Sequence, residues 1–223
     1  MRTARAGELV AERVLFWDVD TQRDFMDESG KLYVPDAESI KPNLKRLTDY
    51  AHERGIRIIA TADDHEPGHR ELSDTPDYRE TFPEHCMRGT PGASKIPETA
   101  LSAPAVVEPA PTPREQLVRL LRTRDGDVLI RKHWFDVFTN PNADTVLEAL
   151  EPTDVVVYGV ALDVCNRYAI EGLLARGIPR IHAVTDATKP IHPEVADGLL
   201  AAWRERGVKL VTTSQVVTGG IGC

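Results

Sequence analysis

Three side chains of different chemistry each follow a short apolar run in this 223-residue sequence. Asp20 follows Val14-Leu15-Phe16-Trp17, Lys132 follows Val128 to Arg131, and Cys165 ends the stretch Gly159-Val160-Ala161-Leu162-Asp163-Val164 that succeeds Val155 to Tyr158. A carboxylate can take a proton, an ammonium can hold negative charge, and a thiol is a strong nucleophile once it is a thiolate. Asp63, Asp64 and His65 come after a further run, Ile56 to Ala60. If these runs are parallel strands, the polar residues after them share one rim, because open α/β sheets bind ligands at the carboxyl ends of their strands.

Cys165 also stands directly before an expected helix, Asn166 to Arg176. Unpaired N–H groups and the positive dipole end favour a thiolate there, and such thiols can titrate at roughly 3.5–7.5. Lys132 would push the same way; an ionised Asp20 would oppose the shift unless it accepts the proton. Taken singly, each residue has a plainer explanation, since a cysteine ending a buried strand is more often a small core residue and a lone Asp or Lys a solvated cap. The other thiols read as plain ones. Cys86 adjoins His85, but neighbours in an extended segment point opposite ways, so Cys86 reads as a packed core thiol. Cys223 sits in a glycine-rich tail, Thr218 to Cys223, expected to be mobile. No C-x-x-C pair is present.

The elements that must position these groups alternate. Leu44, Leu47 and Ala51 share one face of a helix expected over Ser39 to Arg54, with Gly55 as its stop. Helix Arg114 to Arg122, strand Val128 to Arg131, helix Ala143 to Leu150 and strand Val155 to Tyr158 follow. The helix containing Asn166, strand Arg180 to Val184, helix Glu194 to Arg206 and strand Val208 to Thr212 complete the series. Apolar strands separated by helices imply an α/β fold: one parallel, Rossmann-like sheet with helices on both faces. Two stretches break the rhythm. Asp63 to Gly92 is rich in His, Asp, Glu and Pro, and Ser94 to Pro113 carries five prolines that forbid a continuous helix. Loops this long inside a compact domain are usually functional or disordered.

The whole chain, 1–223, reads as a single domain with a core over about 14–216 and flexible ends. With 41% hydrophobic and 28% charged residues it is in the soluble globular range, and no apolar run approaches the roughly 20 residues of a membrane span. The segment Met1 to Ala11 lacks the apolar stretch of a secretory signal, so a cytoplasmic location is expected. A net charge of -8 and a pI near 5.4 argue against nucleic acid as a partner, and no membrane partner is expected.

Three segments together resemble the signatures of the isochorismatase-like superfamily, and of its nicotinamidase branch most closely. They are Val19-Asp20-Thr21-Gln22-Arg23-Asp24-Phe25, the run from Phe82-Pro83-Glu84-His85 through Gly89-Thr90-Pro91-Gly92-Ala93, and Gly159 to Cys165. The resemblance implies an isochorismatase-like hydrolase fold and a catalytic triad of Asp20, Lys132 and Cys165. It further implies a cis peptide between Val160 and Ala161 and an oxyanion hole from the N–H groups of Ala161 and Cys165. Asp63, His65 and His85 match the branch's metal ligands, a set that suits zinc, with iron or manganese as alternatives; His69 is either an extra ligand or a polar loop residue. Phe25, Phe82 and Phe138 match aromatic walls around the substrate. The activity implied is hydrolysis of a small-molecule amide to a carboxylic acid and ammonia through a cysteine thioester, with nicotinamide as substrate, in a homo-oligomer.

The sequence departs from that branch at Asp64 and Phe82, where aromatic residues and tryptophan are frequent, and at Leu162, where threonine is common. Two other readings remain open. One is a hydrolase of the same superfamily acting on a carbamoyl or ureide compound or on isochorismate, although isochorismate cleavage does not need Cys165. The other is a catalytically silent binding domain. A nucleotide-binding oxidoreductase would need G-x-G-x-x-G and a serine hydrolase G-x-S-x-G, and neither is present.

Overall fold

Alternate residues of strand β1 (Val14–Val19) enter two different cores, which is why all six are buried. Val14 and Phe16 pack with Leu44, Leu47 and Ala51, while Leu15, Trp17 and Val19 pack with Leu117, Leu121, Val146 and Leu173. A strand covered on both faces needs no polar side, and this is the reason Val14 to Trp17 reads as a continuous apolar run.

The computed structural model describes residues 14–219. Its seven strands are β1, β2 (Ile58–Asp63), β3 (Ala105–Val107), β4 (Val128–Lys132), β5 (Asp154–Val160), β6 (Arg180–Lys189) and β7 (Lys209–Val211). They form one sheet in the order β3-β4-β2-β1-β5-β6-β7, and every pairing is parallel. The helices are α1 (Arg23–Met26), α2 (Lys41–Glu53), α3 (Arg114–Thr123), α4 (Ala143–Leu150), α5 (Cys165–Ala175), α6 (Pro193–Glu205) and α7 (Thr213–Gly219). Buried residues of α2 and α7 join the core beneath Phe16, and those of α3 to α6 join the core beneath Trp17. The expected α/β architecture with helices on both faces is therefore present.

Two boundaries matter for the site. Strand β2 runs on to Asp63 and β4 to Lys132, so these residues end their strands rather than follow them, and the ladder pairs them directly. The proline-rich stretch also hides a strand that the sequence pattern did not announce: β3 pairs with β4 between Pro104 and Glu108. Proline cannot donate to a ladder, which confines such a strand to three residues at the sheet edge. Thr218 and Gly219, expected in a mobile tail, complete α7. Cys223 and the segment Met1 to Ala11 lie outside the described residues. Among the described residues no helix is long and apolar enough to cross a membrane.

Candidate active site

Four neighbouring strand ends, those of β1, β2, β4 and β5, converge on one buried cluster. Asp20 follows β1 in a left-handed backbone conformation (φ 48°), where a non-glycine residue needs local support. Thr61 of β2 provides it, accepting the Asp20 N–H at 3.3 Å and donating its hydroxyl to Asp20 Oδ1 at 2.6 Å. The other oxygen, Oδ2, lies 2.9 Å from Lys132 Nζ. Lys132 also donates to Asp63 Oδ1 and, at 3.6 Å, to Cys165 Sγ. Acidic oxygens of Asp20 and Asp63 lie within 4.8 Å of that sulfur and of each other.

Electrostatics correct the expectation of a lowered thiol pKa. Burial pushes the Cys165 thiol well above its ordinary value, and Lys132 only partly opposes this. Burial likewise raises Asp20 against the pull of Lys132. Burial alone would lower Lys132, but the carboxylates of Asp20 and Asp63 hold its pKa well above the usual lysine range. A neutral thiol beside a carboxylate of raised basicity suits proton transfer between them better than it suits a standing thiolate. Although α5 begins at Cys165, burial is the largest influence on its thiol.

The loop before Cys165 supplies a second feature. The Val160–Ala161 peptide is cis. The Ala161 carbonyl accepts from the N–H groups of Val164 and Asn166, and Leu162 N–H donates to the Lys189 carbonyl. Among the described residues the N–H groups of Ala161 and Cys165 reach no backbone or side-chain acceptor, and both residues line the same cavity.

The metal-type residues are assembled by the loop between β2 and β3, whose strands of chain cross-tie. His65 N–H donates to the Cys86 carbonyl and Arg88 N–H to the His65 carbonyl, which joins the His65 and His85 regions. Phe82 N–H donates to the Glu71 carbonyl, which brings in Glu71. One ligand atom from each of Asp63, His65, Glu71 and His85 falls within 4.8 Å of the others, and all four residues are buried. His65 Nε2, His85 Nε2, Asp63 Oδ2 and Glu71 Oε2 have no hydrogen-bond partner. Four converging, orphaned donor atoms of nitrogen and oxygen type fit a divalent transition ion.

The outer ring nitrogens are also fixed. His85 Nδ1 lies 2.8 Å from the Pro83 carbonyl and donates to it, which turns Nε2 into the ligand group, where it faces Glu71 Oε1 at 3.3 Å. His65 Nδ1 lies 3.3 Å from His69 Nδ1, which places His69 behind His65 and outside the ligand group. Burial, reinforced by His85 and Lys132, pushes His65 down to about 2 and keeps its imidazole neutral. Burial pushes Glu71 up to about 7.

A narrow cavity opens onto Cys165, Asp63, Glu71 and His85. Its other walls are apolar and include Phe25, Phe82, Phe135 and Ile191. The Phe25 and Phe82 rings stand 5.3 and 6.3 Å from the His85 ring. Phe138, expected as a third wall, does not line the cavity. Asp136 caps the turn Val137–Thr139 by accepting the Phe138 N–H at 2.9 Å, which directs the ring towards Trp17, 6.1 Å away. There the ring fills the space a side chain at Gly172 would need, under the guanidinium of Arg176. Phe135 takes the wall position instead. Neither Phe135 nor Glu71 gave a sequence signal: two phenylalanines three positions apart could each face the cavity, and Glu71 is one of several acids in its loop.

The model of the isochorismatase domain matches residues 15–215, and the chain belongs to that family. Within it, the chain is similar to nicotinamidases. It is 28% identical over 214 residues to the nicotinamidase/pyrazinamidase of Mycobacterium tuberculosis, covering 88% of this chain and 97% of that one. It is 26% identical over 199 residues to an Arabidopsis thaliana protein named as a probable inactive nicotinamidase, covering 88% and 91%. The crystal structure of the pyrazinamidase of Pyrococcus horikoshii in complex with zinc matches with a TM-score of 0.69 and 26% identity, covering 90% of this chain and 99% of that one.

Proposed function

We propose that this protein hydrolyses a small, neutral aromatic carboxamide, nicotinamide first, to the carboxylic acid and ammonia, with Cys165 as nucleophile. The observation that carries the reading is the cavity itself: an apolar, aromatic-walled slot that ends on a thiol and on metal-type ligands, with Asp20 and Lys132 beside the thiol. No arginine or lysine is among the cavity's lining residues, and Lys132 beside it is already flanked by Asp20 and Asp63. A carbamoyl amino acid or isochorismate would bring a carboxylate into that wall with no side-chain cation to meet it, which is costly.

Asp20 takes the proton from Cys165 Sγ as the sulfur bonds to the amide carbon. The carbonyl oxygen gathers negative charge against the N–H groups of Ala161 and Cys165. The carbon–nitrogen bond then breaks, Asp20 returns the proton to the leaving nitrogen, and ammonia departs. Asp20 next takes a proton from water as the water oxygen attacks the thioester; the thiolate leaves, recovers that proton, and the acid is released. Lys132 holds Asp20 in place and balances the charge on Asp20 and the sulfur. Asp63, His65, Glu71 and His85 would hold a divalent transition metal, zinc being the first choice for this donor set. Such an ion would supply a Lewis-acidic position for a ring nitrogen of the substrate.

Ammonia release from a panel of amides by the metal-loaded protein tests the reading. Nicotinamide and pyrazinamide, which share a ring nitrogen meta to the amide, are expected to react, and benzamide to react at least ~10²-fold more slowly for want of that nitrogen. Equal rates on benzamide and nicotinamide, or turnover confined to carbamoyl compounds, would overturn the substrate assignment.

A further inference from the structure

One buried ion pair takes no part in the proposed chemistry. Asp18 is fully buried in β1, and its Oδ2 lies 2.7 Å from Lys95 Nζ. Lys95 belongs to the segment just beyond the Asp63 to Gly92 loop. Both charged groups meet on the Thr21 hydroxyl, which accepts from Lys95 at 2.7 Å and donates to Asp18 at 2.8 Å. The Thr99 hydroxyl, 2.7 Å away, completes the set.

The backbone around this network is clamped as well. Ile96 N–H donates to the Thr21 carbonyl, Arg23 N–H donates to the Ser94 carbonyl, and the Gln22 side chain donates to the Ala93 carbonyl. Residues 93–99 thus form a plate behind residues 21–23, immediately after Asp20. Asp20 sits in the left-handed region; its side chain and N–H bond Thr61 and Lys132, its carbonyl accepts the Gln22 N–H at 2.7 Å, and the direction of its chain exit is therefore set by residues 21–23.

We propose that Asp18 and Lys95 are positioning residues for Asp20, acting through the Thr21 hydroxyl to fix the chain that leaves it. The pair aligns the Asp20 carboxylate with Cys165 without touching either the sulfur or the cavity. This deepens the proposed function and rests on its assignment of Asp20 as the proton acceptor.

The test compares Thr21→Val, Thr21→Ser and Lys95→Met with the unaltered protein, and Lys45→Met, at an exposed ion pair with Asp49, serves as the control. Three quantities are read: kcat and KM on nicotinamide, the rate of Cys165 alkylation by iodoacetamide as a function of pH, and the melting temperature. Misplacing a reacting group by about 1 Å can cost ~10²-fold. Thr21→Val and Lys95→Met are expected to lower kcat and slow alkylation near neutral pH by about tenfold or more, with KM within about twofold. Thr21→Ser, which keeps the hydroxyl, and Lys45→Met are expected to match the unaltered protein. Lowered melting temperatures with kcat and alkylation unchanged would overturn the proposal and leave the pair as a purely structural clamp. If Lys95→Met does not fold, the two Thr21 variants decide, since they leave both charges in place. Failure of the unaltered protein to hydrolyse any amide would refute the proposed function, while the alkylation rates would still judge the positioning role.

Discussion

The site is built from two regions that hold their residues in different ways. Asp20, Asp63 and Lys132 come from the ends of adjacent strands, and Cys165 from the helix start that follows β5; the ladder sets the spacing of the strand ends: Asp63 pairs with Lys132, and Val19 with Gly159, one step before Asp20 and Val160. His65, Glu71 and His85 come from a long loop and are held by cross-ties between loop strands. The sheet region stands on two hydrophobic cores, so truncating the neutral Cys165 thiol should have little effect on the fold, whereas removing Lys132 would leave two buried carboxylates unpaired. The loop region surrounds buried polar atoms that lack partners within the protein. Such groups are costly to leave unpaired, so this half is expected to depend on a bound ion for its order.

Cys165→Ala tests the sheet half most severely. It should abolish amide hydrolysis, by about 10⁴-fold or more, because in the proposed mechanism the thiol acts as a unit with Asp20 and Lys132. Circular dichroism and the melting curve should be nearly unchanged, while Cys86→Ala, at a fully buried thiol outside the cavity lining, should keep turnover. An equal loss in both variants would mean that the thiols act through packing.

The loop half should fail differently. Elemental analysis is expected to find about one transition metal per chain, and His85→Ala or Glu71→Gln should release it, with affinity falling by about 10²-fold. Chelation should lower the melting temperature of the unaltered protein and sensitise the loop between Asp63 and Gly92 to protease, with the sheet intact. A chelated protein of unchanged stability and full activity would remove the distinction between the halves.

How much of each half could be seen in the sequence comes from the same difference. The strands carried a period and a polarity, so the fold class, the rim and the positions of Asp20, Lys132 and Cys165 could be read from apolar runs and the residues that end them. Asp63 and His65 could be placed after the apolar run Ile56 to Ala60, but their role as ligands, and His85 altogether, came from the family resemblance. Glu71 could not be found, because its burial depends on a bond between Phe82 and its own carbonyl that no local pattern encodes. β3 was hidden by its flanking prolines. Desolvation of Cys165 was misjudged because a helix start can be seen in a sequence, whereas the depth of burial of its first residue cannot.

Phe135 and Phe138 bring the contrast down to a single turn. Phe135→Ala should raise KM about tenfold by removing a cavity wall and leave kcat less affected. Phe138→Ala should destabilise the protein by ~3 kcal/mol, since its ring is packed between Trp17 and α5, and should leave KM alone. Reversal of these two outcomes would return Phe138 to the substrate.

The mildest outcome belongs to the other end of the sheet. Asp154 opens β5, as far along that strand as possible from Val160, and is as buried as the rim acids. Burial works to raise its pKa, but the hydrogen bonds from Arg180 prevail and hold it below the ordinary 3.8. Both Arg180 nitrogens reach it, at 2.6 and 2.5 Å. A carboxylate whose folded pKa is depressed contributes stability above its unfolded pKa and loses it as pH falls through the folded value. Asp154→Asn should therefore lower stability at neutral pH by only ~1 kcal/mol, because Arg180 is half exposed and solvent screens the pair. The gap between variant and unaltered protein should close as the pH drops below about 4. Nearby His182, which burial holds below its ordinary pKa of 6.5 against the pull of Asp154, must be charged as pH falls; the variant loses that pull, so the gap first widens as His182 titrates and closes only below about 4. Turnover should be unchanged throughout. A buried acid at the opening of a strand would then serve the fold alone, and one at the close of a strand the chemistry; a loss of kcat in Asp154→Asn would show that the two ends of the sheet are coupled.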